Sequence, residues 1–471
     1  MTRNRASLLV AAFALLSCES ILPSEVNKDN CVMNPGICDS AGGQTCDMNL
    51  KRCVPRGGTC AGPVDCMMST AAACSDGQCV PCTADNQCKA WSQARVLATP
   101  LDYCTGGTCG NCRTNADCAT SAVGGLCDAT THLCRGCEAN SECDSAVGAG
   151  DGICRRPGDY PETPMTGVET GKCVPSNLIA FATNKTVGPG CEGMSANGST
   201  LSRPYCNLTI AAASGKPYIK VLPANHTALS LNGTSVNLVG PGRDAAQGAI
   251  LAGLAVTGGT VSVSDMTVQA SAGVVALQCR ANATLYLNYS KVYSNNAFGV
   301  DAQQDCAKVF VDRTRIESTG SLAITVGEAG TTATTYRIVN SAVVQSGASD
   351  AANRNPVRLG DSASSGVFAY NTLSGTVGGV SCTKTTQSLT DSIISVGSGT
   401  PVAASCTQAR LAIGTAELMA GTEPMLTTSA ANTGCCIDKG VNPSGNLVVT
   451  DYFGTKRPVG GGFDIGFHEV K

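Results

Sequence analysis

Apolar and polar residues alternate at the period of a β-strand in two stretches that repeat each other. Leu285-Tyr286-Leu287-Asn288 and Val309-Phe310-Val311-Asp312 match position for position at an offset of 24 residues. In each stretch an Asn or Asp follows the second apolar residue, where the chain must turn. One such strand cannot bury its apolar side alone, whereas stacked coils bury a continuous core. The pattern therefore predicts a parallel β-solenoid.

The same order of strand and turn returns elsewhere, and successive Asn or Asp positions are 20 to 31 residues apart. Loops of unequal length on a common strand ladder account for the varying interval. The further repeats are Ser264-Asp265-Met266, Val339-Asn340-Ser341, Tyr370-Asn371-Thr372 and Thr390-Asp391-Ser392.

These repeats resemble those of the right-handed parallel β-helix proteins, the pectin-lyase-like superfamily. The C-terminus resembles the closing segment of many bacterial surface β-helix proteins, in Ile437-Asp438-Lys439-Gly440, residues 450–458 and Asp464-Ile465-Gly466-Phe467-His468-Glu469. The resemblance covers roughly residues 181–471 and implies an all-β, right-handed parallel β-helix, for which we expect a domain over residues 176–471. One fold carries many functions, however. We expect a capping helix at residues 204–213 and the first strand at residues 217–223.

Residues 31–175 form a separate, cysteine-rich region. Its twenty cysteines fall into five groups of four, beginning at Cys31, Cys60, Cys82, Cys112 and Cys137. In the last four groups five residues always separate the first two cysteines, and Asp, Gln, Asp or Glu precedes the second. This constancy predicts an internal repeat in which two disulfides replace an apolar core. Three pairings are available within each group, and the sequence does not choose among them.

Three Cys-x-x-Cys pairs occur in this region: Cys79/Cys82, Cys109/Cys112 and Cys134/Cys137. Such pairs also occur in zinc ribbons and redox proteins. Here each pair falls at the junction of two groups of four, so closely packed repeats explain it, and we expect disulfide staples and no metal site.

The eight remaining cysteines have their own spacing. Cys279 and Cys306 are 27 residues apart, and Cys382 and Cys406 are 24 apart, which is one coil in each case. Residues one coil apart lie on adjacent strands, which are about 4.8 Å apart, and a disulfide can span that distance. We therefore predict these two bonds. Cys191 would then pair with Cys206. The adjacent Cys435 and Cys436 form either a bond with each other or bonds elsewhere.

The N-terminus predicts export. Arg3 and Arg5 precede an apolar run, residues 8–16, that is too short to span a bilayer and has the length of a signal peptide core. Leu15-Leu16-Ser17-Cys18 resembles the bacterial lipoprotein box, which implies a signal peptide at residues 1–17, a lipid on Cys18 and a tether over residues 18–30. Acyl chains anchor a protein without a transmembrane helix. We expect the outer membrane or cell surface of a Gram-negative bacterium; an ordinary signal peptide is the alternative.

Composition excludes some functions. Gly is abundant at 54 residues and aromatic residues make up only 4%, which suits tight turns and small stacked side chains. The net charge is −3, so no basic surface recruits nucleic acid. No Gly-x-Ser-x-Gly or His-Glu-x-x-His motif is present, and the three His residues are scattered. No catalytic residue or cofactor is assigned.

Two arginines and three aspartates are candidates for carbohydrate chemistry. Arg354 and Arg358 lie close to the Arg-x-Pro-x-x-Arg pattern of pectate lyases but are one residue short of it. Asp301, Asp305 and Asp312 would serve as acid/base groups or Ca²⁺ ligands if neighbouring coils brought them together, although solvated turn carboxylates are commoner.

Tyr286 and Phe310, one coil apart on the side opposite the apolar residues, would form an aromatic ladder for sugar stacking, unless another segment covers them. The preferred hypothesis is a non-catalytic surface protein that binds polysaccharide or a surface protein. A polysaccharide lyase or glycoside hydrolase acting on acidic glycans, with Ca²⁺ only in the lyase case, is the alternative. In a third hypothesis the cysteine-rich array binds a protein partner.

Overall fold

The computed structural model describes most of the chain from residue 60 onwards and two short strands before it. The described residues are 44–47, 52–55, 60–119, 121, 124–147, 152–156, 171–184, 198, 200–243, 248–320, 322–328, 333–347, 355–360, 363–384, 387–414, 416, 418, 425–441, 450–455, 457–458 and 461–470. The chain divides into two compact units, residues 1–136 and 137–471. Within the described ranges, no helix has both the length and the apolar character that crossing a bilayer requires.

The first unit consists of small hairpins, each carrying the third and fourth cysteines of a repeat. Cys46 lies opposite Cys53, Cys74 opposite Cys79, Cys104 opposite Cys109 and Cys127 opposite Cys134. The elements are β1 (Gln44–Asp47), β2 (Arg52–Pro55), β3 (Ala73–Ser75), β4 (Gln78–Val80), α1 (Asp85–Ala94), β5 (Tyr103–Thr105), β6 (Thr108–Gly110), β7 (Leu126–Cys127) and β8 (Cys134–Arg135), with 3₁₀ turns at Pro63–Asp65, Ser69–Ala71 and Asn115–Cys118.

One disulfide pattern recurs in the described repeats: the first cysteine bonds to the third and the second to the fourth. The bonds are Cys60–Cys74, Cys66–Cys79, Cys82–Cys104, Cys88–Cys109, Cys112–Cys127, Cys118–Cys134, Cys137–Cys154 and Cys143–Cys173. The hairpin explains the choice, because it holds the third and fourth cysteines side by side and turns each towards a different partner.

The polar residue before each second cysteine caps a turn. The Asp65 carboxylate accepts the N–H groups of Ala61 and Gly62, at 2.8 and 3.1 Å. Gln87, Asp117 and Glu142 each accept the two corresponding N–H groups in their own repeats. A side chain that satisfies free N–H groups at the start of a helical turn stabilises that turn. The Asp, Gln or Glu at this position of the repeat therefore has a structural role.

The second unit is a parallel β-helix, as predicted. Helices α2 (Asn140–Val147), α3 (Leu208–Ala213) and α4 (Ala430–Cys435) and a 3₁₀ turn at Ser176–Leu178 accompany its strands. The strands are β9 (Ile179–Ala182), β10 (Tyr218–Val221), β11 (Ala224–His226), β12 (Leu229–Asn232), β13 (Val236–Val239), β14 (Ala249–Leu251), β15 (Leu254–Thr257), β16 (Thr260–Ser264), β17 (Thr267–Gln269), β18 (Leu277–Arg280), β19 (Thr284–Asn288), β20 (Lys291–Ser294), β21 (Val300–Ala302), β22 (Lys308–Asp312), β23 (Arg315–Ser318), β24 (Ile324–Val326), β25 (Thr334–Val339), β26 (Ala342–Gln345), β27 (Val357–Leu359), β28 (Ala363–Ala369), β29 (Thr372–Val377), β30 (Val380–Cys382), β31 (Ser388–Thr390), β32 (Ile393–Ser398), β33 (Thr407–Ala409) and β34 (Ala412–Ile413).

Three parallel sheets run along the β-helix. Sheet 1 has ten strands in the order β33-β31-β28-β25-β22-β19-β16-β13-β10-β9, sheet 2 has nine in the order β11-β14-β17-β20-β23-β26-β29-β32-β34, and sheet 3 has seven in the order β12-β15-β18-β21-β24-β27-β30. Each full coil contributes one strand to each sheet. The predicted register is confirmed, because Leu285 pairs with Val309 and Asn288 with Asp312. The inward-facing residues of all three sheets form one apolar core.

The first strand of the β-helix lies earlier in the chain than predicted. β9 pairs with β10 and precedes it in sheet 1, so residues 217–223 form the second strand of that sheet. The predicted capping helix is present as α3, and the Asn207 side chain accepts the Ile210 N–H at its start. Leu208 and Ala211 of this helix are buried in the core. The helix therefore covers the first coil, as expected for a solenoid end.

The fifth cysteine repeat packs on the outside of sheet 1 and belongs to the second unit. An apolar cluster joins Ile153 and Val174 of the repeat to Ile179, Phe181, Tyr218 and Val239 of the first strands. Lys220 donates to the Gly152 carbonyl at 2.6 Å, and Arg156 forms two bonds to the Asp265 carboxylate, at 2.9 and 2.8 Å. Packing thus divides the chain at residue 136, whereas the cysteine pattern divides it at residue 175.

A ladder of left-handed residues forms the turn between sheets 1 and 2. Its members have φ between 47° and 57°, and they are Asp265, Tyr289, Arg313, Asn340, Tyr370, Asp391 and Arg410. The repeat pattern predicts Asn371 at this position, but Tyr370 occupies it and Asn371 follows. The pattern also treats Asn288 and Asp312 as equivalent to this position, which is a one-residue error. Both are the last residues of their strands, where they pair with Ser264 and Val339.

At most of these turns the residue after the left-handed position points inward and continues a hydrogen-bond ladder. Thr314, Ser341, Asn371 and Ser392 are fully buried, and each side-chain oxygen accepts an N–H from the preceding coil, at 3.0 to 3.4 Å. These bonds satisfy backbone groups that the turn leaves unpaired. They explain why a small polar residue follows most of the turn positions.

Candidate functional site: the outer face of sheet 3

Charged side chains gather on the outer face of sheet 3. Asp301 pairs with Thr325 in the next strand, and Thr325 with Arg358 in the one after. Their strand neighbours Val300 and Ile324 are fully buried in the core. Because side chains alternate along a strand, Asp301, Thr325 and Arg358 lie on the outer side. We call Arg280, Asp301, Thr325, Glu328 and Arg358 the sheet 3 row.

Two ion pairs organise the sheet 3 row. The Arg280 guanidinium binds both oxygens of Asp301, at 3.1 and 2.6 Å. Arg358 lies 2.6 Å from one oxygen of Glu328, and the Thr325 hydroxyl donates to the other at 3.3 Å. The side chain of Asp301 is only 5% exposed, whereas that of Arg358 is 36% exposed. The row therefore presents fixed charges whose accessible end is Arg358.

The three Asp residues proposed as one cluster do not come together. Asp301 lies on sheet 3, where Arg280 holds it. Asp312 ends a strand of sheet 1, where Arg313 lies at 2.6 Å and the Asn340 amide donates to it at 3.2 Å. Asp305 lies in the turn between those strands with φ of 50°. Arg354 lies outside the described residues.

Tyr286 and Phe310 are neighbours in sheet 1, as their offset predicts. Their ring centroids are 5.3 Å apart, with planes inclined at 73°. Tyr286 is 8% exposed and Phe310 is half-buried. An edge-to-face pair with one buried ring offers less stacking surface than an open ladder, which favours the covered arrangement that was the alternative.

The C-terminal motif is a structural clasp. Arg457 is buried, donates to the carbonyls of Asp464 and Gly466 at 3.0 and 2.8 Å, and lies 3.3 Å from the Glu469 carboxylate. Asp451 accepts the N–H groups of Phe453, Thr455 and Glu469. Gly466 has φ of +97°, and a Cβ there would meet Ile393 at 2.6 Å, so glycine is required.

Burial controls the ionisation of this clasp. It lowers the pKa of Arg457 and raises the pKa of Asp464. Burial also lowers the pKa of His468, whose ring lies edge-on to Phe453 with centroids 5.5 Å apart. The polar residues of the motif thus bind backbone groups and each other, and His468 closes the segment.

Both disulfides predicted from coil spacing are present. Cys279–Cys306 and Cys382–Cys406 have Cα separations of 5.3 and 5.2 Å. Cys435 and Cys436 bond to each other. Cys206 is also disulfide-bonded, and its predicted partner Cys191, like Cys18, lies outside the described residues.

Sulfur atoms in the repeats lie close enough to resemble metal sites. In each of four repeats three cysteine sulfurs lie within 4.8 Å of one another. All of these cysteines are disulfide-bonded, however, and metal ligation requires thiolates. These clusters are therefore covalent staples.

Comparison of the chain with protein-family models, with curated proteins and with solved structures finds no match. The function must therefore be argued from the site itself. The sheet 3 row brings four charged groups, Arg280, Asp301, Glu328 and Arg358, to one face of the β-helix. Sequence reasoning singled out Asp301 and Arg358 but missed Arg280 and Glu328, because the short strands of sheet 3 carry no visible repeat.

Proposed function

We propose that this protein is an exported, lipid-anchored β-helix that binds polysaccharide without cleaving it. The observation that carries the proposal is the sheet 3 row, a line of charged groups at strand spacing whose most exposed member is Arg358, with 36% of its side chain exposed. Adjacent strands lie about 4.8 Å apart, an interval comparable with one sugar unit of an extended glycan. Sugar hydroxyls and acidic groups bind such arrays through hydrogen bonds, and arginine binds carboxylates in particular.

The pairing of the carboxylates favours binding over catalysis. A general acid must present its proton to the bond that breaks, and the two carboxylates of glycosidases face a common sugar. Asp301 and Glu328 instead face Arg280 and Arg358, at 2.6 Å in each case. Cleavage of acidic glycans remains the second candidate, because carboxylates and arginines do share one strand face.

The membrane part of the proposal rests on the sequence around Cys18. Two or three acyl chains on Cys18 would hold the protein at the outer membrane or cell surface, with residues 18–30 as the tether. Growth with an alkyne-labelled fatty acid should label the wild type, and Cys18→Ala should abolish the label. Labelling that persists in the variant would exclude this anchor.

The binding test uses the protein lacking residues 1–18 and a panel of acidic and neutral polysaccharides. Affinity electrophoresis should show retardation by at least one glycan, and Arg358→Ala should weaken binding about tenfold, equivalent to about 1.4 kcal/mol. Lys308→Ala is the matched control, because Lys308 is an exposed cation on sheet 1. Equal losses in both variants would show that net charge, not the sheet 3 row, drives binding.

The same panel, incubated with and without Ca²⁺, distinguishes binding from cleavage. New chain ends would replace the binding proposal by the lyase or hydrolase alternative, and Asp301→Asn and Glu328→Gln would be the first variants. If no glycan is retarded, deletion of the cysteine-rich repeats would test whether a protein partner binds there.

A further inference from the structure

The adjacent cysteines Cys435 and Cys436 form a bond unlike the other disulfides of the described residues. The other bonds join cysteines 13 to 30 positions apart. A disulfide restricts the unfolded chain by closing a loop of residues, and the restriction grows with the logarithm of the loop length. The Cys435–Cys436 bond closes no loop, so this mechanism gives it no role in stability.

The two sulfurs of this bond differ in access. Cys436 is completely buried, in a cluster with Ile393, Leu426 and Ile465. Cys435 is half-buried, and its neighbours Thr433 and Gly434 are exposed. A thiolate from solvent can therefore approach one sulfur only, that of Cys435.

The bond also lies where the C-terminal clasp meets the last coils. Cys435 ends α4, and the Cys436 N–H donates to the Asn432 carbonyl at 2.8 Å. The Cys436 carbonyl accepts the Ile465 N–H at 2.8 Å, and the next N–H, that of Gly466, donates to Asp391. The ring formed by adjacent cysteines fixes the backbone that makes these contacts.

We propose that Cys435–Cys436 is a thiol-exchange site that accepts a low-molecular-weight thiol at Cys435 and controls the clasp. The thiolate sulfur forms a bond to Cys435 Sγ as the Cys435–Cys436 bond breaks, and the electron pair leaves on Cys436 Sγ, which takes up a proton. A second thiolate attacks the external sulfur of the mixed disulfide and releases Cys435. Two thiols are oxidised to one disulfide, and the protein disulfide is reduced to two thiols.

The buried position of Cys436 limits what the reaction disturbs. Once released, its thiol stays within an apolar cluster and behaves as a small hydrophobic side chain. The reaction therefore opens the ring without exposing a new apolar surface, and the β-helix itself stays folded.

The test titrates the intact protein with increasing ratios of reduced to oxidised glutathione. After acid quenching and alkylation, peptide mapping measures each bond. Cys435–Cys436 should open at a ratio at least tenfold lower than Cys279–Cys306 or Cys382–Cys406, with glutathione found on Cys435. Opening together with those bonds, or after them, would overturn the proposal.

Two single variants test the assignment of the attacked sulfur. The Cys435 thiol of Cys436→Ser should take up glutathione readily from its oxidised form, whereas the Cys436 thiol of Cys435→Ser should not. Equal uptake of glutathione by the two variants would refute the assignment of Cys435 as the attacked residue. Hydrogen exchange of the wild type is then measured at the glutathione ratio that opens only the Cys435–Cys436 bond. The amides of Ile465 and Gly466 should exchange faster, while the core of sheet 1 stays protected. Unchanged exchange at those two amides would show that the bond does not control the clasp.

Discussion

Arg313 gives the sharpest test of how the turn ladder is held together. Its side chain is 2% exposed and lies 2.6 Å from the Asp312 carboxylate, itself 7% exposed. Its guanidinium carbon lies 4.0 Å from the centre of the Tyr289 ring, and Nη1 donates to Thr450 in the C-terminal clasp at 3.2 Å. One cation thus joins a strand end, an aromatic ring and the clasp.

The expected cost of Arg313→Gln follows from the charge that it leaves behind. Without the guanidinium, Asp312 keeps the Asn340 amide as its described side-chain donor, and an uncompensated buried charge costs about 3 to 5 kcal/mol. Loss of the cation–π contact, about 2 kcal/mol when desolvated, overlaps with that figure and is not added to it. Arg313→Lys should lose less, because it keeps the charge but not the planar contact.

Urea unfolding followed by circular dichroism, with the disulfides intact, measures these changes. The double variant Asp312→Asn with Arg313→Gln should recover more than half of the loss, since no buried charge is left unpaired. Lys308→Gln, at an exposed cation on the strand that ends at Asp312, should change stability by less than about 0.5 kcal/mol. A double variant as unstable as Arg313→Gln would refute the argument, because packing rather than charge would then carry the cost.

Two further predictions concern the core. Replacing Cys279 and Cys306 together by Ala removes a disulfide that spans 27 residues and should cost about 3.5 kcal/mol by the loop-closure relation; an unchanged urea midpoint would contradict this. Burial lowers the pKa of His226 below its ordinary value of 6.5, so the unfolded state binds more protons and stability should fall as the pH drops below about 6.5. His226→Gln should flatten that dependence between pH 7 and 5, and an equally steep dependence in both proteins would assign it to other groups.

Sequence periodicity predicts the strands of sheet 1 well because they are long enough to show alternation. The pairing of Leu285 with Val309 and the Cys279–Cys306 bond both follow from one coil of offset. The left-handed residue of each turn is harder to predict from sequence than the strands are. Asn and Asp adopt the left-handed conformation readily, but they also occur at the ends of strands. Asn288 and Asp312 take the second role, while Tyr289 and Arg313 take the first, which no propensity predicts.

The candidate site was predicted only in part for a related reason. Sheet 3 has strands of three or four residues, too short for a period of two to stand out. Asp301 and Arg358 attract notice as residue types, but their partners Arg280 and Glu328 become neighbours only through the stacking of coils. Ion pairs between coils depend on loop lengths, which vary by several residues from coil to coil.

The fifth cysteine repeat changes the experiment that separates a binding β-helix from a binding array. The cysteine pattern favours deleting residues 31–175, and the structure argues against that end point. Ile153 and Val174 are buried against the first strands, and each such side chain contributes about 1.5 to 3 kcal/mol. Their removal would also expose Phe181 and leave Lys220 without the Gly152 carbonyl.

Deletion of residues 31–136 is therefore the informative variant, and deletion of residues 31–175 becomes its stability control. The shorter deletion should keep the urea midpoint of the β-helix, whereas the longer one should lower it or cause aggregation through the uncovered face of sheet 1. Equal midpoints would show that the fifth repeat does not stabilise the β-helix. If the protein lacking residues 31–136 is still retarded by polysaccharide, binding is assigned to residues 137–471. If that protein is no longer retarded, binding is assigned to the first four repeats, because only the longer deletion disturbs the β-helix.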